Sequence, residues 1–288
     1  MVWVNDIIQG VLLGGLYALF AAALSLVFGV MRLVNLAHGD FSILAAYVSL
    51  AIVGSLDINP FYTILLVMIV MGIFGYIIQR GLFNFAMDAG PMQAILATFG
   101  IAIIIQNLLL EKFSANSKGL DAGKIENVFI KLSDQVVIGW FPLITIIVSV
   151  IVLLGLQFFL GRTRMGRAFR ATADNQKAAQ LMGIDNRHLY AMAMAFALAI
   201  VAIGGVFIGI RTTFTPSAGP MRLIFAYEAV IIGGLGSLWG TLVGGIVLGI
   251  AQVVGDHIHQ GWGILVGHLV FLAILAFRPQ GLFAKQAQ

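Results

Sequence analysis

The sequence predicts an all-α integral membrane protein with about eight membrane-spanning segments. Of its 288 residues, 60% are hydrophobic and only 10% are charged, and the mean hydropathy is +1.03. Soluble proteins average roughly 45 to 50% apolar and about 25% charged residues. The apolar residues also fall into runs of about 17 to 25, the length that a helix needs to cross the hydrocarbon core. We expect a single transmembrane domain over residues 1–288.

Six apolar runs are the clearest candidates for spans, and they cover residues 7–30, 61–78, 92–110, 141–160, 189–210 and 264–277. Two further runs, 41–56 and 226–254, are less regular, because the first follows a polar motif and the second is interrupted by glycines. Ala21 and Ala23 in the first run imitate a signal-peptide cleavage site, but no basic segment precedes that run. We therefore expect it to be a retained span.

The two irregular runs point to a transport function. Irregular backbone inside a membrane is tolerated only where it lines a cavity or is packed in protein. Interrupted segments in the two halves of a chain indicate the substrate site of a transporter built from repeats. We therefore predict that the substrate pathway is lined by Asn35, His38, Gly39, Asp40, Gly233, Gly234, Gly236 and Ser237.

Each interruption also has a structural interpretation. Asn and Asp cap helices in many proteins, so the first could be a polar turn at the membrane interface. The second interruption contains two GxxxG pairs, Gly240 with Gly244 and Gly245 with Gly249. Such pairs bring helix backbones together, so we expect most of these glycines to serve helix packing. A re-entrant or broken segment at 233–240 would return Arg278 and Lys285 to the basic, cytoplasmic side.

Residues 161–187 form a polar island of 27 residues that carries six of the 16 Lys and Arg residues. Basic residues beside spans mark the cytoplasmic side. Small residues recur there at steps of three and four, which predicts one helix with a face that a partner can approach closely. The predicted docking residues are Gly166, Ala171, Asn175, Ala178, Ala179, Leu181 and Gly183. The alternative is an ordinary basic loop that only sets topology.

The other long hydrophilic segment covers residues 111–140. Its four lysines are balanced by Glu111, Asp121, Glu126 and Asp134, so it carries no cytoplasmic retention signal. One crossing separates it from the basic island, and we expect it outside, where it either meets a periplasmic partner or is a solvated connector.

Enzymatic and nucleic-acid functions find no support in the sequence. There is no cysteine, no G-x-S-x-G motif and no phosphate-binding P-loop, so no catalytic residue is predicted and energy must come from another subunit or an ion gradient. His257 and His259 lack a third nearby ligand, so no metal site is predicted. The net charge of +4 is concentrated in the basic island rather than spread over a nucleic-acid-binding face.

Four motifs carry a family resemblance that spans nearly the whole chain. The run GRAFRATADNQKAAQLMGID resembles the cytoplasmic coupling loop of permease subunits of bacterial ABC importers, specifically the LivH-type branched-chain amino-acid permeases. Three further stretches agree in order, namely VNLAHGDFSILAAY, IIGGLGSLWGTLVGG and RPQGLF.

The resemblance implies a two-half, repeat-like permease fold in the bacterial inner membrane and transport of branched-chain or other hydrophobic amino acids. It implies a second, LivM-like permease, two cytoplasmic ATPases that bind the ATP, and a periplasmic solute-binding protein. The chain itself would hold no cofactor. Motion of the ATPases would reach the spans through the basic island.

Two alternatives to amino-acid import follow from the sequence. Similar permeases serve urea, short amides or aromatic acids, and an ion-driven carrier would also explain paired broken segments, although such a carrier needs no coupling loop.

Glu228 departs from the family, which tends to be uncharged there. It could meet a substrate ammonium, or, as we favour, cap a helix that begins near Tyr227 at the outer interface.

Overall fold

The computed structural model describes residues 2–133 and 136–283, and most of them are helical. The predicted all-α membrane fold is confirmed. In chain order the elements are α1 (Val2–Met31), α2 (His38–Leu56), α3 (Pro60–Ile78), α4 (Asn84–Ala89), α5 (Pro91–Phe113), β1 (Phe129–Ser133), β2 (Val136–Gly139), α6 (Trp140–Arg162), α7 (Arg164–Asp174), α8 (Gln176–Leu181), α9 (Asn186–Arg211), α10 (Gly219–Gly233), α11 (Leu238–Ile258) and α12 (Gly263–Phe277). Asp134 and Lys285, which the sequence analysis uses, lie outside the described residues.

Seven helices within the described residues are long and apolar enough to cross a membrane, and α12 is a shorter apolar helix. The helices α3 and α4 are joined by a π-helical turn at Gln79–Phe83, so they count as one span over Pro60–Ala89. The run 226–254 is not one interrupted span. It is divided between α10 and α11, and α10 already begins at Gly219.

The chain forms two compact units. The first contains Met1–Ser25, Asp121–Leu153 and Ile224–Gln288, and the second contains Leu26–Leu120 and Leu154–Leu223. The helices α1, α6 and α10 pass from one unit into the other.

In the first unit, glycines let α1 and α11 approach closely. A Cβ on Gly10 or Gly14 would overlap the backbone of Ile250 or Ile246 respectively, and Gly249 lies against Gly10 in return. These pairs run in opposite directions along the chain, so the two helices are antiparallel. The predicted packing role of Gly245 and Gly249 is confirmed.

The same unit contains a helical hairpin of α10 and α11. Gly233 lies against Gly240, and Gly244 lies against the carbonyl oxygen of Ala229, so the chain reverses at residues 234–237. The predicted reversal and the packing role of Gly240 and Gly244 are confirmed. The segment before α6 in this unit is also ordered, with β1 and β2 paired as an antiparallel hairpin.

In the second unit, α9 is the most buried helix and packs against α2 and α3. Gly205 of α9 lies against the carbonyl oxygen of Ser42. A Cβ added to Gly75 of α3 would lie 2.9 Å from the carbonyl oxygen of Met194. At one end of the unit, Lys118 pairs with Phe214 as a short β-bridge. The segments that follow α5 and α9 therefore lie on the same side.

Candidate functional site

The basic island folds as two helices, so the prediction of one docking helix is wrong. Asn175 has φ −150° and ψ 101°, an extended conformation that ends α7, and its Oδ1 accepts a hydrogen bond from Ala178 N at 3.0 Å. This side-chain bond replaces a helical one and starts α8, as Asn commonly does. Ala171 and Ala178 consequently do not share the face of a single helix. Gly183 has φ +85° and ends α8.

The predicted docking residues divide into buried and exposed ones. Gly166 packs against the backbone of Leu160, and Ala179 is buried. Ala171, Asn175, Ala178 and Gly183 are exposed. The tip of α8 exposes its largest apolar side chains, because Leu181 is 89% and Met182 is 84% exposed. These two side chains project from a polar loop.

Buried Asn186 ties this loop to the transmembrane helices of the second unit. Its Nδ2 donates to the carbonyl oxygen of Gln176 at 3.0 Å, and its Oδ1 accepts from Thr172 Oγ1 at 3.4 Å. The next residue, Arg187, forms an ion pair with Asp88 at the end of α4. A cavity of about 280 Å³ between the loop and the end of α1 is lined by residues that include Arg32, Asn175, Lys177 and Tyr190.

The first predicted pathway motif lies in the second unit and is buried. Asn35 Oδ1 accepts from Ala37 N at 3.0 Å and shapes the turn before α2. The Nδ2 of the same side chain is 3.9 Å from the Sδ of Met194. Leu36 N donates to Thr98 Oγ1 at 3.2 Å, so α5 satisfies the irregular backbone that precedes α2. Asn35 therefore shapes the turn before α2 but does not cap that helix, whose N-cap residue is Ala37, and its side chain is 0% exposed.

Asp40 and Gly39 meet the beginning of α10. Asp40 Oδ1 accepts from Gln106 Nε2 at 2.9 Å, and the carboxylate lies directly against Gly219. Gly39 packs on the carbonyl oxygen of the same glycine. An anionic group at the positive end of a helix is electrostatically favourable. His38 is 1% exposed on the same turn.

The second predicted pathway motif is the turn of the α10–α11 hairpin in the first unit. Ser237 caps α11 by accepting from Gly240 N at 3.1 Å. Gly234 has φ +100° and Gly236 has φ +79°, values that favour glycine. Gly233 and Gly234 are buried, whereas Gly236 is exposed.

The C-terminal RPQGLF motif lies beside this turn. Leu282 N donates to the carbonyl oxygen of Ile232 at 2.8 Å, and Phe283 N donates to that of Gly233 at 3.1 Å. The motif supplies hydrogen bonds to the carbonyl groups at the end of α10, which a helix terminus leaves unsatisfied.

Glu228 does not cap a helix, so that interpretation is wrong. It lies in the middle of α10, is 4% exposed and pairs with His268 of α12.

The sequence interpretation also missed Gln106, Gln252 and His268. Each is a lone polar residue inside an apolar run, and that signal could have identified it.

No metal site is evident in the part of the chain that the structure describes, where no group of three or more His, Cys, Asp or Glu side chains could hold an ion. His257 pairs with Asp6 at 2.9 Å and contacts the ring of Trp3, and these contacts hold the end of α11 to the start of α1.

Long apolar helices, buried polar breaks inside them and a polar loop with an exposed apolar tip define a multi-pass membrane protein of the transport-permease class. The family described as "Branched-chain amino acid transport system / permease component" matches residues 7–275. The chain therefore belongs to this family, is a transport subunit rather than an enzyme, and resides in the inner membrane. The predicted LivH-type resemblance is confirmed.

Individual relatives agree over nearly the full length. The chain is 26% identical to the high-affinity branched-chain amino acid transport system permease protein BraD of Pseudomonas aeruginosa, over 98% of this chain and 96% of that protein. It is also 26% identical to LivH of Escherichia coli, with the same coverage. The autoinducer 2 import system permease protein LsrC of Salmonella paratyphi B is 28% identical over 69% of this chain and 59% of that protein. No solved structure matches the chain.

Proposed function

We propose that the chain is the permease subunit of an ATP-driven importer that moves branched-chain or other hydrophobic amino acids inward. The family match and the names of BraD and LivH support this substrate class. In the proposed assembly, the chain pairs with a second, LivM-like permease, with two cytoplasmic ATPases that bind ATP, and with a periplasmic solute-binding protein. The basic island would receive the motion of the ATPases.

The observation that carries this proposal is the exposed pair Leu181 and Met182 at the tip of α8. They lie outside the candidate spans on a polar loop, and they are 89% and 84% exposed. Large apolar side chains clustered on an otherwise polar surface mark interaction sites. A flexible Met side chain adapts to such a partner surface. An ATPase subunit is the partner that an importer permease needs on its cytoplasmic side.

Asn186 and Arg187 connect the basic island to the membrane spans and would transmit the proposed motion. A push on α8 acts through the Gln176 carbonyl on Asn186, which begins α9. It also acts through Arg187 on Asp88, at the end of the span that contains α3. Rigid helices joined by such hydrogen bonds move together, which suits alternating access. The route lies within the second unit.

The proposed substrate pathway retains both broken motifs. Burial of Asn35, His38 and Asp40 in an apolar unit supports a polar role for the first. The second motif comprises Gly233, Gly234, Gly236 and Ser237. The capping and packing contacts described above explain why glycine and serine occur at these positions. We propose that these residues contribute to transport by holding the hairpin turn in its conformation.

The test is the double substitution Leu181→Ser with Met182→Ser in the reconstituted importer. We expect ATP-dependent leucine uptake to fall at least about tenfold, because losing two buried apolar contacts at an interface costs more than about 1.4 kcal/mol. The matched control is Gln180→Ser, an exposed polar residue of the same helix, which removes no apolar contact and should leave uptake unchanged. Normal uptake and normal assembly of the double variant would contradict the proposal.

A second substrate class is tested in the same preparation. The match to LsrC shows that a similar permease belongs to an import system for a solute that is not an amino acid. Labelled urea or a short amide should not be taken up if the amino-acid proposal is right. Uptake that continues without ATP in an imposed ion gradient would instead favour an ion-driven carrier.

A further inference from the structure

Two pairs of polar side chains from four helices lie on either side of Phe225 in the first unit. Glu228 of α10 pairs with His268 of α12, and Tyr17 of α1 donates from its hydroxyl to Gln252 Oε1 of α11 at 2.5 Å. Phe225 lies between the two pairs, with its ring centroid 5.2 Å from that of Tyr17 and 6.2 Å from that of His268. We call these four residues the polar layer.

The polar layer contains two buried polar atoms that have no hydrogen-bond partner among the described residues. They are Oε2 of Glu228 and Nε2 of Gln252. The two residues are 4% and 6% exposed, so water does not reach them freely. A buried polar group without a partner costs free energy of folding, and such a group is retained where it serves a ligand. One of these atoms is an anionic acceptor and the other is a neutral donor.

Two consecutive residues of α12 border the two polar pairs. His268 covers one side of Glu228 and keeps 36% of its side chain exposed. The preceding residue, Gly267, lies against the side chain of Gln252, and a Cβ there would come within 3.3 Å of Nε2. Glycine at 267 therefore keeps the amide uncrowded. The carboxylate of Glu228 and the amide of Gln252 therefore lie beside His268 and Gly267 of α12 respectively.

We propose that the polar layer binds the zwitterionic head group of an α-amino acid. Glu228 Oε2 accepts from the ammonium group, which has three donors, and Gln252 Nε2 donates to the carboxylate. Phe225, which lies against the rings of Tyr17 and His268, holds the two pairs in place. The inference rests on the proposed amino-acid importer for the identity of the ligand. It does not depend on the docking residues of α8.

The experiment uses three ligands that share one branched side chain. Leucine has both charged groups, 3-methylbutylamine lacks the carboxylate, and 4-methylpentanoate lacks the amine. The assembled complex in membranes is treated with a lipid-soluble carbodiimide, and modification of Glu228 is measured by peptide mass spectrometry. The apparent melting temperature of the purified complex is measured with the same ligands, because it does not depend on entry of the reagent.

We expect leucine and 3-methylbutylamine to protect Glu228 and to raise the melting temperature, whereas 4-methylpentanoate does neither. Glu228→Gln should abolish the stabilisation by both amines. Gln252→Leu should weaken binding of leucine about tenfold, the value of one hydrogen bond to a charged group, without changing that of 3-methylbutylamine.

A polar layer that only joins helices predicts a different result. Glu228→Gln and His268→Gln would then lower complex stability by similar amounts, and the ligand effects would persist or be absent in every variant. Equal effects of leucine and 4-methylpentanoate would also overturn the proposal. These outcomes are separate from the uptake test, because ligand binding is measured without ATP and with Leu181 and Met182 intact.

Discussion

Gly39 shows how single glycines determine the position of helix ends in this protein. It is the second residue of α2, and a Cβ there would overlap the carbonyl oxygen of Gly219 and lie 2.7 Å from Leu223 N. Both atoms belong to the backbone of α10, so neither can rotate away. The same approach places the Asp40 carboxylate against the start of α10.

We expect Gly39→Ala to destabilise the protein by about 1 to 3 kcal/mol, the usual cost of overpacking, and to lower uptake with it. Gly54→Ala is the matched control in the same helix, because no atom lies within 4 Å of the position of its Cβ. That change should be neutral or stabilise by roughly 0.5 to 1 kcal/mol. Apparent melting temperatures of both purified variants provide the measurement, and equal values would show that the contact with α10 does not matter.

At the scale of the element, the break between α7 and α8 decides what the cytoplasmic loop presents. The extended backbone of Asn175 turns α8 away from the axis of α7. Asn186 then bonds to the carbonyl oxygen of Gln176, at the first residue of α8. The direction of α8, and with it the exposure of Leu181, therefore depends on two Asn side chains.

Replacing the capping side chain tests this arrangement. Asn175→Ala should cost about 1 kcal/mol through loss of the cap and reduce coupling of ATP hydrolysis to uptake, because α8 no longer begins at a fixed place. Asn175→Ser retains a capping oxygen and should keep most of the coupling. The ratio of leucine transported to ATP hydrolysed is the quantity to compare. If Ala and Ser give the same ratio, the cap does not set the position of α8.

At the scale of the whole molecule, the connectivity of the helices defines one orientation. A single helix, α6, connects the β-hairpin segment to the basic island, so these lie on opposite sides of the membrane. Gln9 Nε2 donates to the carbonyl oxygen of Val137 at 2.7 Å, so α1 begins on the side of the β-hairpin. Since α11 is antiparallel to α1, the hairpin turn and the RPQGLF motif bonded to it lie on the other side. We therefore expect Arg278 to be cytoplasmic, in agreement with the charge bias.

Cysteine labelling tests this orientation. The chain has no native cysteine, so only an introduced cysteine can react with the label. Ser117→Cys and Gln176→Cys are exposed positions in the two polar segments. In intact cells, an impermeant maleimide should label the first and not the second, and both should react after the cells are opened. The reverse pattern would place the basic island outside and exclude it as a surface for cytoplasmic ATPases.

Much of the site could be located from the sequence, but its partners could not. Asn35, Asp40 and Glu228 stand out because a polar residue in an apolar run is costly to bury. Their partners Met194, Gln106 and His268 are 159, 66 and 40 residues away respectively, and no periodicity links them. The glycines of α10 and α11 were predicted to pack, because GxxxG spacing places them on one face.

The sequence by itself determined that this is a helical membrane protein, where most spans lie and which loop is basic, because the free energy of transfer into lipid depends on composition over about 20 residues. Tertiary structure decided the remaining features. It ended α7 at Asn175 and began α10 at Gly219, since side-chain caps and backbone contacts from distant residues compensate for the lost helical hydrogen bonds. It also joined Glu228 to His268, because in an apolar interior a buried charge must find whatever polar group the packing brings near it.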